Sequence, residues 1–130
     1  AGVHGIVGCL YRPDRMARPV DWALPIGPGD LWSDDPKAPD YNKMVRAPYA
    51  FSHERLRRAD PMYDLVLIMD WNWPVSHPGM GSAIFVHAWR RPGAPTAGCI
   101  AMSAPDLLWL TRGLRHADRV IVPETLSKTL

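Results

Sequence analysis

Prolines at 13, 19, 25, 28, 36, 39 and 48 punctuate the stretch from Arg12 to Tyr49, and glycines stand at 27 and 29. Each proline fixes φ and removes a backbone donor, so neither a long helix nor a central strand is expected here. A loop longer than about 15 residues inside a compact domain is usually functional or disordered. Trp22, Trp32 and Tyr41 give this one apolar mass to pack, which predicts an ordered insert and not a linker.

The flanking segments carry strand signals. Val3 to Tyr11 mixes β-branched and aromatic residues with glycine, as in a strand that bends or bulges. Asp64 to Met69 and Ser82 to Trp89 are apolar runs of strand length and predict central strands, and Arg119 to Val122 predicts a last one. Two short helices are expected. One follows Ser52 as N-cap, runs through His53, Glu54, Arg55, Leu56, Arg57 and Arg58 with Glu54 near the positive end of its dipole, and stops at Asp60-Pro61. The other is capped by Ser103, with Asp106 three residues on and a stripe of Leu107, Leu108, Leu110, Thr111 and Leu114. The expected fold is mainly β, with one or two short helices and the long Pro-rich insert.

A chain of 130 residues with 47% hydrophobic composition suits one core, so residues 1–130 are expected to form a single domain, taken to be a monomer. Its 15 basic and 13 acidic residues are scattered, which leaves no nucleic-acid partner expected. No apolar run approaches the roughly 18 residues of a membrane span, so no transmembrane segment is predicted and the chain is expected to be soluble as given. The abrupt start at Ala1-Gly2-Val3, already strand-like, suggests that a leader and an earlier strand have been removed, which is compatible with export.

The chemistry concentrates between Gly81 and Met102. His87 ends a predicted buried strand, and Cys99 follows twelve residues later, directly behind Gly98. The intervening Arg90, Arg91, Pro92, Gly93 and Pro95 suit a loop that folds back and returns Cys99 beside His87. A cysteine's ordinary pKa is about 8.5, and a neighbouring imidazolium lowers it, populating the nucleophilic thiolate. Gly98 admits a carbonyl close to the backbone, and the N–H groups around Gly98 and Cys99 suit a developing oxyanion. The pattern predicts acyl transfer, with Cys99 as nucleophile and His87 as base. The second ring nitrogen of His87 is expected to bond a backbone carbonyl near Ala88.

Blander readings stand beside this one. An isolated buried cysteine is usually an inert small hydrophobe, and a lone histidine in a strand can be a satisfied core residue. His4, His53, His77, His87 and Cys99 are potential zinc ligands, but none shows C-x-x-C or H-E-x-x-H spacing, so no metal is expected. A Cys9–Cys99 disulfide is possible in an oxidising compartment and would silence the enzyme; Cys9 is read as a buried strand residue. Trp32, Asp34, Asp35, Tyr41 and Asn42 suit a substrate-facing wall, or Asp34 and Asp35 merely bond loop backbone. Asn72 is a polar contact after a strand, whose neighbouring Trp71 and Trp73 either cap the core or line the cleft. The Arg55, Arg57 and Arg58 cluster reads as a solvated helix face.

Thr96-Ala97-Gly98-Cys99-Ile100 behind a strand-end histidine resembles the Ser/Thr-x-Gly-Cys-aliphatic segment of the YkuD family of L,D-transpeptidases. The runs Tyr11 to Arg15, Trp32 to Pro36, Tyr41-Asn42, Ser52 to Leu56, Tyr63-Asp64 and Gly81 to Phe85 look like a proteobacterial branch of it, so the likeness covers most of the chain. It implies a sandwich-like β fold and a cofactor-free periplasmic enzyme. Cys99 would attack a carbonyl next to an L-centre of a peptidoglycan stem peptide and pass the thioester to an amine, through stem residue 3 or residue 1. Water as acceptor would make it a carboxypeptidase, and a non-catalytic cell-wall binding domain is the remaining alternative. Thr96, Ala88, Arg90, Arg91, Trp32, Tyr41, Asn42, Asn72 and Ser82 are the expected substrate contacts, and carbapenems are expected to acylate Cys99. The better-known branch usually has histidine where Ala97 stands, arginine where Ala101 stands and a longer histidine-to-cysteine loop. Arg90, Arg91 or Arg46 could replace that arginine.

Overall fold

The computed structural model describes residues 2–72, 76–78, 80, 82, 84–89, 99–115 and 118–122. Its first strand, β1 (Gly2–Tyr11), is the bent one expected from its glycines: its register against β6 (Leu65–Met69) shifts between Ile6 and Gly8. The main sheet runs β2 (Leu24–Pro25), β1, β6, β7 (Phe85–Ala88), β8 (Ile100–Met102), and β9 (Arg119–Val122) also pairs with β1. The β1–β6, β6–β7 and β1–β9 pairs are antiparallel, whereas β1–β2 and β7–β8 are parallel.

The two central apolar runs are strands because both of their faces are covered. Cys9, Tyr11, Leu65, Leu67, Met69, Val86 and Ala88 point to one face and pack with Leu107 of helix α1 (Ala104–Gly113). Leu10, Val66 and Phe85 point to the other, where they meet Ile26, Trp32, Leu56 and Tyr63. The helix forms as its cap predicts: Ser103 Oγ accepts from the Asp106 N–H at 3.3 Å, and Thr111 Oγ1 bonds back to the Leu107 carbonyl at 2.8 Å.

The Pro-rich insert is ordered, but it is not strand-free. Asp30–Ser33 (β3) is buried at all four positions and lies between β4 (Met44–Arg46) and β5 (His53–Arg55) in a second, antiparallel sheet. The prolines fall outside these three strands, so the ladder loses no donors to them. Trp32 seats this sheet on the main one, its ring edge-on to Phe85 with 5.0 Å between centroids.

The helix expected over 53–58 is a correction, because His53–Arg55 is β5. A helix of that length is too short to stabilise itself, whereas β3 offers a ladder in which Leu31, Trp32 and Ser33 pair with Arg55, Glu54 and His53. Ser52 caps nothing; its Oγ donates to Asp34 at 2.6 Å. The neighbouring arginines form no solvated helix face either. Arg57 reaches Asp14 at 3.4 Å, and Arg58 grips Asp60 through two bonds of 3.0 and 2.7 Å with its guanidinium 5.5 Å from the Tyr63 ring centre.

Leu67 is wholly buried between sheet and helix. Leu67→Ala is therefore expected to cost about 2–5 kcal/mol and Ser103→Ala about 1 kcal/mol. Urea titration followed by circular dichroism checks the order of the two losses.

Candidate active site

His87 owes its place to β7. Its neighbours in sequence, Val86 and Ala88, face the helix side of the sheet, so alternation turns His87 toward the small sheet, where it is buried. Its Nδ1 lies 2.8 Å from the Ala88 carbonyl oxygen, as expected from the sequence. A carbonyl can only accept, so Nδ1 carries the proton and the lone pair of the neutral ring is on Nε2.

Cys99 comes up on the adjacent strand. The β7–β8 ladder pairs Val86 with Ile100 and His87 with Ala101, so Cys99 lies just before the ladder, level with Phe85. The Phe85 N–H points at its Sγ, 3.5 Å away. Cys99 and Ala101 share the face that carries His87, which makes nucleophile and imidazole diagonal neighbours across a parallel pair. Ala101 places only a methyl opposite His87.

Tyr63 completes this face. Its ring stands edge-on to both His87 and Phe85, with centroids 5.6 and 5.7 Å away. Its hydroxyl donates to Glu54 Oε1 at 3.4 Å. Burial and then the Glu54 charge push the Tyr63 hydroxyl above its ordinary range. The Glu54 carboxyl is itself held high by burial and by the Asp34 charge.

The thiol is also held up. Burial is the larger cause and the Glu54 charge adds to it, while the Phe85 N–H works in the opposite direction. A half-buried sulfur under the charge of a carboxylate holds its proton more tightly than an exposed thiol does. Both cysteines are free thiols. Cys9 packs on the helix side, and burial pushes its thiol up to about 12.

Trp32, Tyr41 and Asn42 are buried. Trp32 Nε1 donates to Ser82 Oγ at 3.1 Å and to Asn42 Oδ1 at 3.3 Å, and Ser82 Oγ donates on to the Ser33 carbonyl at 3.0 Å. Asn42 and Asn72 both adopt left-handed backbone, φ 60° and 55°. Asn42 Nδ2 donates to the carbonyls of Trp71 and Asn72, and the Asn72 side chain bonds both backbone groups of His77. These residues thus join the small sheet to the chain leaving β6. Asp35 accepts from the backbone of Lys37 and Ser52, the loop-bonding alternative. Arg46 is exposed on β4 beside Asp30 and lines a cleft of about 310 Å³ with Asp14 and Arg57. Thr96, Gly98, Arg90, Arg91, Ala97 and Trp73 lie outside the described residues.

Sequence reasoning missed Tyr63 and the role of Glu54. No spacing rule links them to Cys99, since they reach the site through β5 and the turn before β6. Among the described residues no group of three or more His, Cys, Asp or Glu is placed to hold a metal ion, and no helix is long and apolar enough to cross a membrane.

Two measurements follow from these environments. Alkylation of Cys99 by iodoacetamide should rise with pH through an inflection above the ordinary thiol value of about 8.5, with Cys9 spared while the protein is folded; peptide mapping distinguishes the two thiols. A raised Glu54 pKa means that its neutral form stabilises the fold at low pH and that this stability is lost as pH rises through the folded value. Glu54→Gln should therefore raise the urea midpoint at pH 7 and leave it unchanged below about pH 4.

No curated protein and no solved structure matches this chain significantly. A family model does, over residues 1–122, and it describes the L,D-transpeptidase catalytic domain. Nearly the whole chain is matched, and the protein belongs to the YkuD family of L,D-transpeptidase catalytic domains.

Proposed function

We propose that the protein is a peptidoglycan L,D-transpeptidase in which Cys99 is the nucleophile and His87 its general base. The observation that carries this reading is the shared sheet face. His87 is anchored through Nδ1 to the Ala88 carbonyl, and Cys99 stands diagonally from it on a parallel strand. With the thiol neutral at rest, Nε2 takes the Sγ proton as sulfur attacks the L-centre carbonyl of a stem peptide. The C–S bond forms, the C–N bond to the departing C-terminal portion breaks, and the imidazolium returns its proton to that leaving amine. An acceptor amine then attacks the thioester, through stem residue 3 or residue 1, and frees the thiol.

The N–H groups around Gly98 and Cys99 serve as oxyanion donors in this scheme. Thr96, Arg90, Arg91, Trp32, Tyr41, Asn42, Asn72 and Ser82 surround the substrate or hold the walls that do, while Ala88, expected as a contact, packs its side chain under helix α1 and contributes only the carbonyl that anchors His87. The reaction needs no cofactor. In this reading the domain works in the periplasm as a monomer, and carbapenems acylate Cys99.

Purified sacculi incubated with wild type and with Cys99→Ala, followed by mass spectrometry of muropeptides, test the reading. New cross-linked dimers made only by wild type are expected, with fragmentation naming the donor residue. Shortened monomers alone would make the protein a carboxypeptidase, and no Cys99-dependent change would leave a cell-wall binding module. His87→Gln should lower turnover by about 10²- to 10⁴-fold.

A further inference from the structure

Glu54 is a half-buried carboxylate between two exposed neighbours, His53 and Arg55, on a strand at the edge of the small sheet. Its Oε1 accepts from the Tyr63 hydroxyl at 3.4 Å, and the Tyr63 ring packs edge-on against His87 and against Phe85. The Phe85 N–H in turn points at the Cys99 sulfur, 3.5 Å away. Tyr63 therefore links the carboxylate directly to His87 and, through Phe85, to the strand residue that meets Cys99.

Among the described residues no lysine or arginine forms an ion pair with Glu54. The guanidinium whose charge does act on Glu54, that of Arg58, is engaged by Asp60 through two bonds. A carboxylate removed from water without a paired cation is costly, and here it also opposes ionisation of the nucleophile. Neither effect helps a resting enzyme, but both are relieved when a cation arrives with the substrate.

We propose that Glu54, with Tyr63 behind it, is a specificity-determining residue that binds the ammonium group of the acceptor peptide beside Cys99 and accepts the proton this group must lose before it attacks. The inference rests on the reading above that Cys99 carries the acyl group. The acceptor arrives as R–NH3+ and gives one proton to the Glu54 carboxylate. The neutral amine attacks the thioester carbonyl, the C–N bond forms and the C–S bond breaks. The second proton passes through His87 to the leaving sulfur, so that amide, thiol and protonated Glu54 result. Glu54 then loses its proton to water. A carboxyl already held above its ordinary range is better matched to this transfer than an exposed one.

The test separates acylation from aminolysis in single-turnover reactions at neutral pH. Wild type, Glu54→Gln and Glu54→Asp are incubated with monomeric muropeptides, and the thioester adduct on Cys99 is followed by intact-protein mass spectrometry. Release of the adduct is then compared for two acceptors, a muropeptide bearing a free side-chain ammonium and hydroxylamine, which is neutral at that pH. Glutamine keeps an acceptor for the Tyr63 hydroxyl, so the site is expected to stay folded. Glu54→Gln should acylate at least as fast as wild type and release to hydroxylamine unchanged, yet release to the muropeptide acceptor on the order of 10- to 100-fold more slowly. Glu54→Asp should recover part of that loss. Equal loss toward both acceptors, or none toward either, would overturn the inference while leaving Cys99 as the acyl carrier. Absence of any adduct on wild type would instead overturn the transferase reading, and this inference with it.

Discussion

The site depends on the register of β7 between β6 and β8. His87 is opposite Val66 on one side and Ala101 on the other. Because side chains alternate, a slip of one residue would turn His87 under helix α1 and bring Val86 to the catalytic face. The register is secured by burial on both sides of the sheet: Phe85 is locked against Trp32 and Tyr63, while Val86 and Ala88 pack toward Leu107. Packing that stabilises the fold thus also determines where the imidazole points.

A second set of interactions is polar and holds the small sheet and its loops in place. Buried Arg12 grips Asp14 through two bonds and donates a third to the Arg58 carbonyl at 2.7 Å. Arg58 grips Asp60 and covers Tyr63, which presses on His87. A long insert poor in regular structure gains rigidity from such bidentate guanidinium–carboxylate pairs, whose geometry is more demanding than that of a point charge. The path from Arg12 to His87 connects the end of the first strand to the reacting face.

The electrostatics of that face hold the thiol above its ordinary range. Burial and the Glu54 charge outweigh one backbone donor, so in the proposed reaction the thiol proton leaves for His87 or under the charge of an arriving cation. A thiol protected in this way is less exposed to adventitious oxidation than a standing thiolate.

Strands β1, β6, β7 and β9 and the capped helix after Ser103 were legible in the sequence because each has a local cause: apolar runs of strand length, a cap or a glycine bend. The histidine and cysteine stood out as candidates because their residue types, spacing and Gly-Cys-Ile context suit chemistry. The fate of Ser52 to Arg58 was not, since the same residues satisfy a helical pattern until β3 offers them a ladder. Nor did local sequence say that Trp32 and Asn42 would be buried in a hydrogen-bonded joint. The sequence by itself determined where the long apolar strands and the capped helix lie, and which histidine and cysteine are the candidates for chemistry. Only the tertiary structure decided that β8 runs parallel to β7, that Tyr63 with Glu54 behind it stands against His87, and that the Cys99 thiol is held above its ordinary range, because desolvation and through-space charge depend on neighbours brought together from distant parts of the chain.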